Sequence, residues 1–425
     1  MSDRSLPVRP DLNQLKHQAK DLLRAMRRGD ADAIAELREL HPTPPDAASA
    51  KLADAQLVLA RSYGATSWTR LVQSVTLSEA LWTGNAQEVR ASITAHPQLL
   101  NTSVRIRKGN WGNPMSYAAT RGHTQIVQML HDMGAKDHEY AMGRAMLLGH
   151  TDTAMLLHGL MGTPPLPADA LGGPAYTLNV EGTRIAFALG ARVVLGDGTQ
   201  RAPVDVVLET DSRDPEAKHA ILAMYEANGY RFPDTAPMAL HRGRIDLLDA
   251  HLARDPLLLT RTFAHEEIYP SAPGCHDEVQ ATHGTPLKGG TLLHMAVDFD
   301  ELAIAEWLVA RDMPVDTPAT IDEHGWGGHT ALFATVVSQP AFWINHQERA
   351  PSAPFTALLL AHGANPNARA NLWKQLHPGY GAEARHDYRD VTPLEWGERF
   401  HRQVFVNREA MRLIAAAGGR AESPT

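Results

Sequence analysis

Apolar residues first recur with a clear period at Leu12, Leu15, Ala19, Leu22 and Met26, spacings of three and four on an otherwise charged stretch. That period predicts a helix with one buried stripe. Asp11 stands where its carboxylate can cap the first unpaired amides. A second periodic run covers Leu52 to Tyr63, Gly64 is placed to end it, and Ser67 before Trp68 starts a third, short helix. Residues 1–75 therefore read as a helical segment in which helices pack on helices.

From residue 76 the pattern changes to helix pairs with a period of roughly 30 residues, the mark of a repeat that grows by stacking. Asn113-Pro114-Met115-Ser116-Tyr117-Ala118 is followed by Gly122-His123-Thr124-Gln125-Ile126-Val127 and then by Gly134-Ala135. Thr291-Leu292-Leu293-His294-Met295-Ala296, Thr330-Ala331-Leu332-Phe333 and Thr392-Pro393-Leu394 repeat the first phrase, and His362-Gly363-Ala364-Asn365-Pro366-Asn367 closes one repeat. In physical terms, Thr-Pro suits a helix start, where the missing amide hydrogen is not needed and the threonine hydroxyl can cap. Gly363 suits a left-handed helix end, and Asn365-Pro366-Asn367 a turn.

These phrases resemble the ankyrin repeat over about three quarters of the chain. The resemblance implies an all-α solenoid of helix pairs joined by short β-hairpin loops, preceded by the N-terminal helical segment. The excess of arginine over lysine, 32 to 8, suits a bacterial source. The repeats fall into 76–260, where Gly149-His150 and Gly243-Arg244 keep only the second-helix phrase, and 261–425, where insertions lengthen them. Leu178 to Thr199, rich in glycine and β-branched residues, reads as a degenerate repeat. Thr291 to Thr330 spans 39 positions and Thr330 to Thr392 spans 62, both longer than one unit.

Composition narrows the partners. A formal net charge of -8 argues against general nucleic-acid binding, because such a surface repels phosphates. Cys275 is the single cysteine, so no intrachain disulfide forms. No signal peptide or apolar run of spanning length is present, and a reducing cytoplasm without membrane contact is the expectation.

The ankyrin resemblance implies a concave face built from hairpin tips and from the two residues after the Ala-Ala of each first helix. Those positions here are Thr120 and Arg121, Asp298 and Phe299, Val337 and Ser338, and Arg399 and Phe400. Histidine adds a second signal, since 11 of 22 lie between residues 265 and 401. His265-Glu266-Glu267, Cys275-His276-Asp277-Glu278 and His283 precede Thr291, and His324-Gly325-Trp326-Gly327-Gly328-His329 precedes Thr330. Imidazoles and carboxylates gathered on loops can move protons or hold a divalent metal. His265, Glu266, His283, Asp298 and His329 are the acid–base candidates, and His276, Asp277 and His324 the metal candidates. Arg121, Phe299, Trp326, Ser338, Trp373, Arg399 and Phe400 are the binding candidates. The insertion Asn371 to Tyr388 reads as a long loop rich in aromatic and cationic groups. His294, His123 and His150 occupy repeat positions and read as structural.

Two functions follow. One is a binding scaffold that takes a protein partner or a small ligand in the concave groove and needs no cofactor. The other is an enzyme on the same scaffold, using His and Asp/Glu groups, with or without a metal, for hydrolysis or elimination on a small molecule in the C-terminal groove. No His-Glu-x-x-His, Walker, dinucleotide-binding or Gly-x-Ser-x-Gly motif favours the second.

Overall fold

The computed structural model describes residues 4–107, 109, 111–210, 212–269, 284–347, 349–376 and 384–421. Among these residues the chain is mostly helical, with twenty-three α-helices and one two-stranded antiparallel hairpin. It divides into two compact units, Met1–Ala170 with Glu181–Gly190, and Leu171–Val180 with Ala191–Thr425.

The first unit opens with the helix Leu12–Arg28, capped by Asp11, whose Oδ1 accepts from the Asn13 amide at 2.7 Å, and closed by Gly29 at φ 83°. Leu15 and Ala19 pack with Leu59, Ala60 and Leu71, while Met26 packs with Ala33, Leu37 and Val58. The helix Ala31–Leu40 follows at once, capped by Asp30. The hydrophobic period did not announce it, because only Ala33 and Leu37 of its ten residues are buried. The helix starting at Trp68, expected to be short, runs sixteen residues to Thr83, capped by the Ser67 hydroxyl at 3.1 Å from the Arg70 amide.

Helix pairs then stack: Trp68–Thr83 with Ala86–Ala95, Pro114–Thr120 with Thr124–Asp132, and His138–Leu147 with Thr151–Leu160. A recurring contact fixes their spacing. The His123 ring lies against Gly84, with Nε2 3.4 Å from the Trp82 carbonyl, and the His150 ring lies against Gly122, with Nε2 3.1 Å from the Thr120 carbonyl. Each histidine thus satisfies a carbonyl left unpaired at the end of the preceding first helix. Both glycines have positive φ, 73° and 70°, and a Cβ on either would stand within 3 Å of the imidazole. The structural reading of His123 and His150 holds.

The second unit contains the pairs Ala236–His241 with Ile245–Arg254, Leu292–Asp298 with Leu302–Val309, and Pro393–Arg399 with Arg408–Ala416. Ala331–Val336 packs between Leu292–Asp298 and Pro393–Arg399. At Thr291 and Thr392 the capping expected from the sequence is present: Thr291 Oγ1 accepts from the Leu293 amide at 3.2 Å, and Thr392 Oγ1 accepts from the Glu395 amide at 3.3 Å. His294 receives the Thr291 amide on Nδ1 at 3.1 Å and donates from Nε2 to the His329 carbonyl at 3.1 Å. It links one repeat to the next, as its place in the phrase implies.

The insertion Asn371 to Tyr388 differs from the loop expected of it. Strands Ala370–Lys374 and His386–Val391 pair antiparallel, Leu372 opposite Tyr388 and Lys374 opposite His386, with the register shifting between Ala370 and Leu372. The shift has a cause. Asn371 pairs its main chain with Gly327, 2.7 Å from the Gly327 amide to the Asn371 carbonyl and 3.1 Å in return, and its side chain takes the Asp390 amide at 2.8 Å. This bridge binds the Trp326 loop to the hairpin.

Candidate functional site

In the second unit, the positions after the Leu292–Asp298 helix form a closed ionic packing. Asp298 is fully buried, with Arg213 Nη2 at 3.1 Å and Arg213 Nε donating to the Asp298 carbonyl at 2.8 Å. Glu301 receives Lys218 at 2.8 Å and His219 at 2.7 Å. The Arg213 and Lys218 cations lie 5.0 and 4.8 Å from the Phe299 ring centroid, with His241 edge-on at 4.6 Å. Burial drives the Lys218 ammonium below its usual range, and Glu301 opposes the shift. Burial pushes the Glu301 carboxyl up, but Lys218 and His219 together outweigh it and hold it below its usual range. Asp300 is pushed up to about 6, by burial first and by Glu301 next. The space left beside Phe299 is ≈10 Å³, room for roughly one water. Asp298 and Phe299 therefore hold repeats together at this point.

The remaining candidates separate. His265 is half-buried against Tyr269, ring centroids 5.0 Å apart, and Glu266 is exposed. His324 is exposed on a loop, 3.6 Å from Glu323. Ser338 is buried, its Oγ 3.4 Å from the Ala341 amide. Arg399 is exposed, whereas Phe400 is buried among Trp396, Tyr388 and Phe405. Cys275, His276, Asp277 and His283 lie outside the described residues. Among the described residues no three His, Cys, Asp or Glu side chains are grouped so as to hold a metal ion.

Three candidates do come together. Trp326, His329 and Trp373 line one cleft of the second unit, Trp326 and His329 from the loop before Thr330 and Trp373 from the first strand of the hairpin.

The first unit presents a different arrangement around Arg121. Its guanidinium lies 4.1 Å from the Trp82 ring, Trp82 is 6.1 Å from Trp111, and Trp111 is 4.8 Å from Tyr117. Arg144 lies 5.8 Å from the Trp111 ring, its Nε donating to Thr120 Oγ1 at 3.1 Å. Both tryptophans and Arg144 are half-buried, and Arg121 is exposed. Tyr117 is buried and donates to the Val8 carbonyl at 2.6 Å; burial pushes its hydroxyl up to about 12. Arg9 beside Trp82 is already engaged by Glu79, at 2.7 and 2.9 Å. Arg121 and Arg144 have no carboxylate partner among the described residues, and burial pulls the Arg144 guanidinium below its usual range. Sequence reasoning found Arg121 but not Trp82, Trp111 or Arg144. Trp111 does stand just ahead of the Asn113-Pro114 phrase, where a hairpin tip belongs.

No family model matches the chain, and no curated protein matches it. Among solved structures, the human ASB11 ankyrin repeat domain aligns over 81% of this chain and 99% of its own, at 12% identity and a TM-score of 0.23. The helix-pair architecture rests on the elements and caps described above. No helix among the described residues is long and apolar enough to cross a membrane.

Proposed function

We propose that the chain is a protein-recognition scaffold and that its first unit takes up an acidic segment of a partner across Trp82, Trp111, Arg121 and Arg144. One observation carries this reading: two guanidiniums, each laid on a half-buried tryptophan, face no carboxylate among the described residues. Tryptophan, tyrosine and arginine in one patch are the side chains that dominate binding energy at protein interfaces. A half-buried arginine without a counter-charge has already lost part of its hydration, so a partner's carboxylate gains more there than at a fully solvated cation. The chain's net charge of -8 makes a local cationic patch selective, since the rest of the surface discourages acidic partners.

The reading is tested by selecting random displayed peptides on the immobilised full chain, with the Arg121→Glu/Arg144→Glu double variant in parallel. The wild type should enrich sequences carrying two or more Asp or Glu residues, and the variant should lose that enrichment. The same acidic enrichment on both proteins, or none on the wild type, would count against it.

A further inference from the structure

We infer that the cleft of the second unit is a binding site for a small, neutral, planar heterocycle that donates a ring N–H to His329. The site concerns the second unit alone and stands independently of the reading of Arg121. The cleft has a volume of ≈480 Å³, within the roughly 300–1,000 Å³ of small-molecule sites.

His329 is 1% exposed and lines the cleft. Its Nε2 stands 2.8 Å from the Pro286 carbonyl, which can only accept, so Nε2 carries the hydrogen and donates it. Nδ1 is therefore an acceptor, and it is buried with no hydrogen-bond partner among the described residues. Leaving a buried polar atom unpaired is costly, and a ligand N–H would remove that cost. The ring stays an acceptor at neutral pH, because burial first, and neighbouring His294 next, hold it at about 3.

Half-buried Trp373 supplies flat apolar surface beside buried Trp326, and arginines hold both. The Arg385 guanidinium lies 4.8 Å from the Trp326 ring and 4.2 Å from the Trp373 ring, and Arg389 lies 3.2 Å from Trp326. Asp387 holds Arg385 in turn at 2.6 Å, so the two indoles are set before any ligand arrives. The carboxylates that line the cleft are engaged. Glu267 takes Arg261 at 2.7 Å and the Ala264 amide at 2.9 Å, and Asp322 Oδ1 takes the His324 and Trp326 amides, each at 2.9 Å. Lys288, the cationic side chain among the lining residues, has a partner of its own and so gives an anion little, and the engaged carboxylates offer little to a cation. A neutral ring with one N–H satisfies the acceptor and packs on the indoles.

Indole and benzofuran test the inference, since they share a shape and differ in having N–H or O in the ring. Each is titrated into the full chain by calorimetry, and the ring nitrogens of His329 are followed by NMR in histidine-labelled protein. Indole should bind at least tenfold more tightly than benzofuran and shift the Nδ1 resonance. His329→Phe should bring the two ligands to equal affinity. Since His329 is buried and bonded to the fold, Trp373→Ala, at a half-buried wall position, provides a second arm and should weaken indole at least fivefold. Binding of neither compound, equal binding of both to the wild type, or unchanged indole affinity in Trp373→Ala would each overturn the proposal.

Discussion

Replacing Gly122 with alanine tests the His–Gly contact that spaces the repeats of the first unit. Gly122 has φ 70°, and a Cβ there would stand 2.7 Å from His150 Nδ1 and 3.0 Å from Cε1. Alanine in the left-handed region costs about 1–2 kcal/mol. The imidazole must also withdraw, and its bond to the Thr120 carbonyl at 3.1 Å goes with it, a further loss of about 0.5–1.5 kcal/mol. Gly29 is the control, with φ 83° but nothing within 4 Å of an added Cβ, so Gly29→Ala carries only the backbone term. Urea unfolding followed by helical circular dichroism should place Gly122→Ala about 1 kcal/mol below Gly29→Ala. His150→Ala should cost little more in the Gly122→Ala background, because the bond it removes is already lost there. Equal destabilisation by the two glycine variants, or a His150→Ala effect that simply adds, would refute the contact as a spacing device.

Other outcomes follow from the second unit. Asp298→Ala leaves the Arg213 guanidinium buried without its partner, side chains 3% and 1% exposed, and should cost about 3–5 kcal/mol in urea unfolding, far more than the paired replacement Arg213→Met/Asp298→Leu. Asn371→Ala removes the bonds to the Gly325 carbonyl and the Asp390 amide, both within 3.0 Å, and hydrogen exchange should speed up at Gly327 and Asp390 while the Leu292–Asp298 helix stays protected. His241, His294 and His329 are held at about 3, 4 and 3 by burial. Between pH 6 and 4 the unfolded chain therefore binds three protons that the folded chain refuses. Asp300, at about 6, works in the opposite sense and binds one in the folded state. The net of about two protons predicts that stability falls by roughly 3 kcal/mol per pH unit as pH drops through that window. A flat profile from pH 6 to 4 would contradict the burial of these rings.

The repeats were legible because their signals are local. Threonine before proline or leucine, and glycine at a left-handed helix end, act within four residues, and the caps at Thr291, Thr392 and Gly363 stand where the phrases put them. The hairpin at Ala370–Lys374 was hidden because its register depends on Gly327, more than forty positions away. The histidines show the same limit. His294 and His329 donate to carbonyls 35 and 43 residues distant, while His324 in the same loop is exposed. What each does is decided by which backbone group stacking brings within reach, not by its density in the sequence. The Trp82, Trp111 and Arg144 patch gathers side chains from three successive repeats, and no single phrase contains it.

Hydrogen exchange of the full chain, with and without an acidic peptide taken from the selection, tests recognition by the first unit most directly. Protection should concentrate on the segments around Trp82, Trp111 to Arg121 and Arg144, and should vanish in the Arg144→Glu variant. Protection confined to other segments, or retained in that variant, would contradict it.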